Sequence, residues 1–266
     1  MRIPGADKAI ANLMKWSAKE DWRPYREQVF AEHFDLICDR FDISEEEIAD
    51  LLGETFGMLF GCVFEDFMAA RFDEGGEKNV VEDYLKRRGW REKVPAKRYR
   101  EAIKNSVLSL HEVVDLDPGH TMTVKDLILG GDPVTVDEKL GSESAVRWDR
   151  IAGRIVTVNR KNYFTGSMVL FPHEVADEVI SSINEILKNV KARLRREAKK
   201  SDEPFYYEET EARGMLLSSS AYLFTQAWLT DVLEQSSAPM PEIRNSDGDE
   251  LGFSEARCPV TGAISE

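Results

Sequence analysis

The stretch that decides the fold is DRIAGRIVTVNRKNYFTGSMVLF, which runs from Asp149 to Phe171. β-branched and aromatic residues are frequent in its two halves, Asp149–Asn159 and Tyr163–Phe171, and the polar tripeptide Arg160–Asn162 separates them. Two such runs around a short polar break are typical of strands joined by a turn. The sequence therefore predicts two long strands near the middle of the chain.

Shorter β segments precede these strands. Leu110–Asp117 contains β-branched residues and stops at the turn Asp117-Pro118-Gly119. Met122–Leu129 fits either a strand or a short helix, and the segment from Val134 to Glu138 alternates apolar and polar residues. Four or five short strands with Gly and Pro turns predict a small antiparallel barrel or curled sheet.

Helices are predicted on both sides of this β module. On the N-terminal side the apolar spacing and the start signals predict helices over Ala6–Lys19, Pro24–Arg40, Glu45–Phe72, Asn79–Arg88 and Ala96–Val107. Ser44 and Glu47 form a capping box at the third of these, and Gly75-Gly76 is predicted to end it.

On the C-terminal side we expect a long amphipathic helix over His173–Lys200 and a nearly apolar, buried helix over Glu208–Gln235. Pro241–Val260 is typical of a hairpin around Asp247-Gly248. No closing element follows, a pattern that fits a truncated chain or one that lacks a final strand. The fold class is α+β, with a helical region at 1–108, a β module at 109–172 and a second helical region with a hairpin at 173–266.

Composition narrows the class of protein. The chain has 266 residues, a net charge of −14 and three widely spaced cysteines, Cys38, Cys62 and Cys258. An odd, scattered set of cysteines indicates a reducing compartment, and residues 1–8 lack the apolar core of a signal peptide. Its most apolar run, Leu51–Phe64, is too short and too polar to cross a membrane. We therefore expect a cytoplasmic protein with no membrane partner.

Charge is strongly sorted along the chain. Ser44–Glu77 holds ten acidic residues and one basic residue, whereas Lys86–Lys104 holds nine basic residues and Lys188–Lys200 seven. The basic segments either pair with the acidic helices or form solvated faces. Alternatively, they form a surface for an anionic partner. As the residues of such a partner-binding surface we select Arg87, Arg88, Trp90, Arg91, Lys97, Arg98 and Arg100.

Gly53, Gly57 and Gly61 lie four residues apart on one predicted helix face. Glycine is destabilising in the interior of a helix, so three glycines on one face suggest close approach of another helix. That helix belongs either to the same chain or to a second copy, which makes a homo-oligomer through this face one of the alternatives.

No catalytic or metal-binding motif is present, so no catalytic residue, metal ligand or cofactor is predicted. The four histidines share no metal-ligand spacing, and neither a phosphate-binding loop nor a nucleophile elbow occurs. Asn245–Asp249 is similar to a calcium loop, but Glu250 and Ala256 stand where an EF-hand needs Gly and Glu.

The β module resembles a segment of poorly characterised bacterial proteins, some of which carry a C-terminal SEC-C zinc motif. The resemblance rests on Val113–Gly119, Thr123, Asp126-Leu127, Val134, Val136, Glu138, Trp148–Ile155 and Arg244–Asp249. The resemblance implies a bacterial protein of unassigned function. The Cys-x-Cys and Cys-His pairs of SEC-C are missing here, so its zinc-mediated binding does not carry over.

Three functions follow from these patterns. The first is a non-enzymatic binding or adaptor protein with a protein partner. The second is a nucleic-acid-associated protein that uses the basic segments 86–104 and 188–200, although the net charge of −14 opposes polyanions overall. The third is an enzyme whose site forms only in three dimensions, where Asp115, Asp117, Asp126, Glu138 and Arg154 approach one another.

Overall fold

The computed structural model describes residues 3–72, 75, 77–201 and 204–237. Within these ranges the helices are α1 (Ala6–Ser17), α2 (Arg23–Phe41), α3 (Glu45–Leu52), α4 (Glu54–Ala69), α5 (Val80–Arg88), α6 (Val94–Lys104), α7 (Leu140–Ser144), α8 (His173–Ser201), α9 (Glu209–Leu217) and α10 (Tyr222–Ser237). A single 3₁₀ turn, Gly89–Arg91, joins α5 to the loop before α6.

The β module is a closed five-stranded barrel. Its strands are β1 (Ser109–Asp117), β2 (Thr121–Asp126), β3 (Val134–Asp137), β4 (Arg150–Val158) and β5 (Lys161–Phe171). Around the barrel the order is β1-β2-β3-β5-β4, and the pairs are antiparallel except for the short parallel contact of β3 with β5. The predicted α+β class, with a small barrel between helical regions, is confirmed.

Two clusters of buried apolar side chains hold the fold together. The smaller cluster fills the barrel and contains Val113, Met122, Val124, Val136, Ile151 and Phe164. The larger cluster is shared, because it joins residues of the helices, such as Phe67 and Leu229, to barrel residues such as Val156 and Phe171. The helices therefore pack on the outside of the barrel through one continuous core.

Two predicted helices are interrupted. The helix predicted to run from Glu45 to Phe72 ends at Leu52 and restarts after Gly53, whose φ of 53° and ψ of −125° are not helical. The capping box at Ser44 is confirmed, but the second of the two helices ends at Ala69 and not at Gly75.

The apolar helix predicted over Glu208–Gln235 also consists of two helices, because Ser218–Ala221 forms a turn between α9 and α10. The hydroxyls of Ser218, Ser219 and Ser220 bond back to carbonyls of the preceding turn, at 2.7, 3.3 and 2.6 Å. These serines therefore end a helix. The hairpin predicted at Pro241–Val260 lies outside the described residues.

The glycine face meets a strand of this chain rather than a helix. A Cβ added to Gly61 would lie 2.1 Å from Ser167 Oγ of β5, whereas one added to Gly53 or Gly57 would meet nothing within 4 Å. Close packing on the barrel thus explains Gly61 alone. Self-association through this face stays a prediction.

No helix among the described residues is long and apolar enough to cross a membrane.

A candidate anion-binding groove on the helical region

A groove of about 380 Å³ lies between α1 and the end of α5. Five basic side chains line it, together with Asn12, Trp16, Tyr84 and Glu92. We call the five the groove cations: Lys8, Lys15, Lys19, Arg88 and Arg91.

The spacing of α1 explains why three lysines point into the groove. Lys8, Asn12, Lys15 and Lys19 follow one another at steps of four, three and four residues, which places them on one helical face. The opposite face, with Leu13 at its centre, is buried in the core. The helical turn persists to Lys19, because its amide donates to the carbonyl of Trp16 at 3.2 Å.

The floor of the groove is a carboxylate that is paired within the protein. Glu92 Oε1 accepts hydrogen bonds from the Tyr84 hydroxyl and, at 2.8 Å, from Asn12 Nδ2. Burial opposes the ionisation of Glu92, but these two bonds and the Arg100 charge hold its pKa below the usual range. The one acidic residue lining the groove is therefore held as a carboxylate by the protein itself.

Arg100 supports this floor from beneath. Its side chain is fully buried, its Nη2 donates to the carbonyl of Ala9 at 3.2 Å, and its guanidinium lies 4.6 Å from the centre of the Tyr84 ring. Its Nη1 faces Glu92 Oε2 at 3.3 Å. The prediction that Arg100 belongs to an exposed partner surface is therefore wrong, because an ion pair and a carbonyl hold it in the interior.

The predicted surface residues divide into two groups. Arg88 and Arg91 line the groove, and the Arg91 guanidinium lies 4.4 Å from the ring of Trp90, which is 70% exposed. The others lie apart from it: Arg87 pairs with Asp83 at 2.7 Å and faces a neighbouring groove of mixed charge. The remaining two have different surroundings, since Lys97 is half-buried on α6 and Arg98 donates to Asn159.

The groove cations differ from the other basic residues of Lys86–Lys104 in their partners. Within the described part of the chain none of the five forms an ion pair, whereas Arg87, Arg100 and Lys104 each do. Two groove cations lie against aromatic rings instead: Lys19 Nζ is 3.3 Å from the centre of the Trp16 ring, and Arg91 lies beside its neighbour Trp90. The interpretation that basic residues pair with the chain's own acids thus holds for part of this segment only.

A second polar cluster is closed off between α4 and the barrel. Arg154 of β4 pairs with Asp66 of α4 and donates to the carbonyl of Ser106 at 2.7 Å. Next to it, Glu65 accepts a hydrogen bond from Thr165 at 2.7 Å. All of these side chains are largely enclosed, so we assign them to the contact between helix and barrel.

His33 extends this cluster towards α10. Its Nδ1 lies 2.7 Å from Thr225 Oγ1, and its Nε2 lies 3.4 Å from Asp66 Oδ2. Cys62 lies nearby, with its Sγ 3.7 Å from the carbonyl of Ser167, and burial raises the pKa of this thiol. A buried thiol with a raised pKa is a poor nucleophile.

Two residues of the enzyme hypothesis, Arg154 and Asp126, have separate partners. Arg154 pairs with Asp66, on the helical side of the barrel wall. Asp126 instead faces His111, with 3.5 Å between carboxylate and imidazole. Among the described residues no group of three His, Cys, Asp or Glu side chains is placed to hold a metal ion.

The α1 side of the groove and its floor were not predicted from the sequence. The spacing of Lys8, Lys15 and Lys19 along α1 could have indicated that these lysines share one helical face. Nothing local pointed to Tyr84 and Glu92, since their role depends on packing of α1 against α5 and α6.

The fold and the groove define a class: an α+β protein with a closed five-stranded barrel and a cationic groove on its helical side. Residues 63–210 match the model of a family of unknown function (DUF7986), which covers more than half of the chain, and the protein belongs to this family. The matched region includes Arg88, Arg91, Glu92 and Arg100 but not α1. No curated protein and no solved structure matches the chain.

Proposed function

We propose that this protein is a non-enzymatic binding protein whose groove holds an acidic segment of a protein partner. The observation that carries this proposal is the set of groove cations, which have no ion pair in the described structure. They surround a floor whose single carboxylate is paired with Arg100 and hydrogen-bonded to Tyr84 and Asn12. A bound carboxylate would therefore meet uncompensated positive charge.

The size of the groove favours a short acidic segment over a long polyanion. A volume of about 380 Å³ accommodates a few side chains. A nucleic acid strand would extend beyond the groove onto a molecule whose net charge is −14 and would be repelled there.

The test uses a fluorescein-labelled hexaglutamate peptide and measures fluorescence anisotropy at two salt concentrations. We expect binding that weakens with salt and that falls at least tenfold in the double variant Arg88→Glu/Arg91→Glu. The matched control is Lys125→Glu/Arg160→Glu, which makes the same charge change at two exposed positions away from the groove. Equal loss in both double variants would mean that net charge, and not the groove, attracts the peptide, and the proposal would then fail.

One observation favours the second candidate function, binding of single-stranded nucleic acid. Trp90 is 70% exposed beside Arg91, an arrangement suited to base stacking. Trp148 serves as a matched control within the same chain, because it is 53% exposed and the Arg147 guanidinium lies 4.9 Å from its ring.

For this candidate the probe is a twelve-nucleotide oligothymidylate. Nucleic-acid binding predicts that Trp90→Ala weakens the complex and that Trp148→Ala does not. If the oligothymidylate binds and the hexaglutamate does not, the second candidate replaces the first.

A further inference from the structure

Helix α8 continues well beyond its last buried residue. Its buried positions, Val175, Ala176, Val179, Ile183 and Leu187, end at Leu187, yet the helix runs to Ser201. None of the fourteen residues after Leu187 is buried. The apolar stripe nevertheless continues at Val190 and at Leu194, which is 38% exposed.

The C-terminal part of α8 forms an apolar groove with α9. The groove has a volume of about 380 Å³, and its apolar lining comes from Leu187, Val190, Leu194, Tyr206, Tyr207, Ala212, Met215 and Leu216. Met215 is 67% exposed and Tyr206 is 78% exposed. Large apolar side chains gathered and exposed in this way are typical of an interaction site.

Charge is divided between the two sides of the groove, because Glu208 and Glu211 line its α9 side whereas α8 is basic. Seven basic residues follow Leu187 on α8, with Glu197 as the only acid: Lys188, Lys191, Arg193, Arg195, Arg196, Lys199 and Lys200. All seven are exposed, and the ion pair that they form within the described ranges is the long contact of Arg193 with Glu197 at 3.9 Å. The α8 side of this apolar groove is thus strongly positive.

We infer that the α8–α9 groove binds an acidic amphipathic helix of a protein partner. Apolar side chains three and four residues apart on that helix would enter the groove, and its acidic residues would face the α8 cations. A second copy of this chain is a poor occupant, because symmetric pairing of this face would bring two sets of seven cations together. This surface is separate from the groove on α1, and the inference does not depend on the function proposed for that groove.

The first experiment identifies what touches the groove in cells. The photo-reactive residue p-benzoylphenylalanine replaces Met215 in the full chain, expressed in its native host, and mass spectrometry maps the cross-linked peptides. The matched control replaces Leu140, which is 74% exposed and lies on α7. We expect Met215 to give adducts, absent at Leu140, whose partner segments are acidic with apolar residues at helical spacing.

Three outcomes would overturn the inference: adducts to a second copy of this chain, adducts to basic or neutral segments, and no adduct beyond the Leu140 control. Nucleic acid in place of peptide would likewise assign the α8 cations to a different class of partner.

The second experiment tests the contact itself with a synthetic peptide of the cross-linked segment. We expect Leu194→Glu and Met215→Glu each to weaken binding at least tenfold, and Lys188→Glu/Lys191→Glu to weaken it several-fold and to reduce its salt dependence. Leu140→Glu and Lys125→Glu/Arg160→Glu serve as controls and should leave the affinity unchanged. Far-UV circular dichroism confirms that each variant is folded, and a folded Met215→Glu variant with full affinity would refute the site.

Discussion

Glu65 is a carboxyl group enclosed between helix and barrel. Burial raises its pKa from 4.5 to about 7, although hydrogen bonds from Thr165 and Ser167 and the charge of Arg154 act in the opposite direction. The folded protein therefore holds this proton more tightly than the unfolded chain does. The resulting stabilisation is complete below pH 4.5 and is lost as the pH rises through about 7, and it amounts to about 3 kcal/mol.

We predict that Glu65→Gln removes this pH dependence. Glutamine keeps an oxygen that can accept from Thr165 and carries no charge to bury. The free energy of unfolding of the variant, measured by urea denaturation, should exceed that of the wild type by about 2 kcal/mol more at pH 8 than at pH 5. Glu185→Gln, at an exposed position on α8, should show no such change, and a Glu65→Gln variant that also shows none would contradict the assignment.

At the level of helices and strands, the contact of α4 with β5 depends on the missing side chain of Gly61. An added Cβ would lie 2.1 Å from Ser167 Oγ and 3.2 Å from Ser167 Cβ. Ser167 is buried and hydrogen-bonded to Glu65, so turning its hydroxyl away breaks that bond. Gly57, one turn earlier, faces open space.

This difference predicts opposite effects for two identical substitutions. Gly57→Ala should stabilise the protein by about 0.5–1 kcal/mol, since alanine favours the helix. Gly61→Ala should destabilise it by about 1 kcal/mol or more, because overpacking outweighs that gain. Thermal or urea unfolding of the two variants gives the comparison, and adding Ser167→Gly to Gly61→Ala should recover stability. Equal effects at both glycines would show that α4 does not press on β5.

Most elements could be predicted from their periodicity, and the exceptions have a physical cause. Apolar spacing continues across Gly53 and across Ser218–Ala221, so periodicity alone predicts no break in either helix. Both breaks are explained by tertiary packing, because they let α4 pack on the barrel and α10 pack on α2. The strands could likewise be predicted from the local pattern of residues. Closure of the barrel, however, depends on the pairing of Val136 on β3 with Asn162 on β5, which no local pattern encodes.

At the scale of the whole molecule, the groove between α1 and α5 likewise could be predicted only in part from local sequence. The basic character of Lys86–Lys104 is visible in the sequence. Local pairs remove two of its residues from such a surface, because Asp83 pairs with Arg87 along α5 and Glu92 pairs with the buried Arg100. Arg88 and Arg91 acquire their lysine neighbours only when α1 packs alongside. Composition can therefore indicate a cationic surface, but the fold selects its members.

The shared core implies that the helices and the barrel unfold together. Arg154 on β4 and Asp66 on α4 lie at the centre of their contact, with side-chain exposures of 1% and 13%. Replacing Arg154 with Met leaves a buried carboxylate without its partner, which should cost about 3–5 kcal/mol. The double variant Arg154→Met/Asp66→Leu removes both charges and should regain most of this loss, because the desolvation penalty of each ion disappears.

We predict that the single substitution lowers the stability of both regions by the same amount. Native-state hydrogen exchange, followed by mass spectrometry, measures the opening free energy of α4 and of β4–β5 separately. Both values should fall by about 3–5 kcal/mol in Arg154→Met and recover together in the double variant. If the β4–β5 amides kept their protection while those of α4 lost it, the barrel would be an independent domain of about residues 109–172. The ion pair would then anchor α4 to a barrel that is already stable without it.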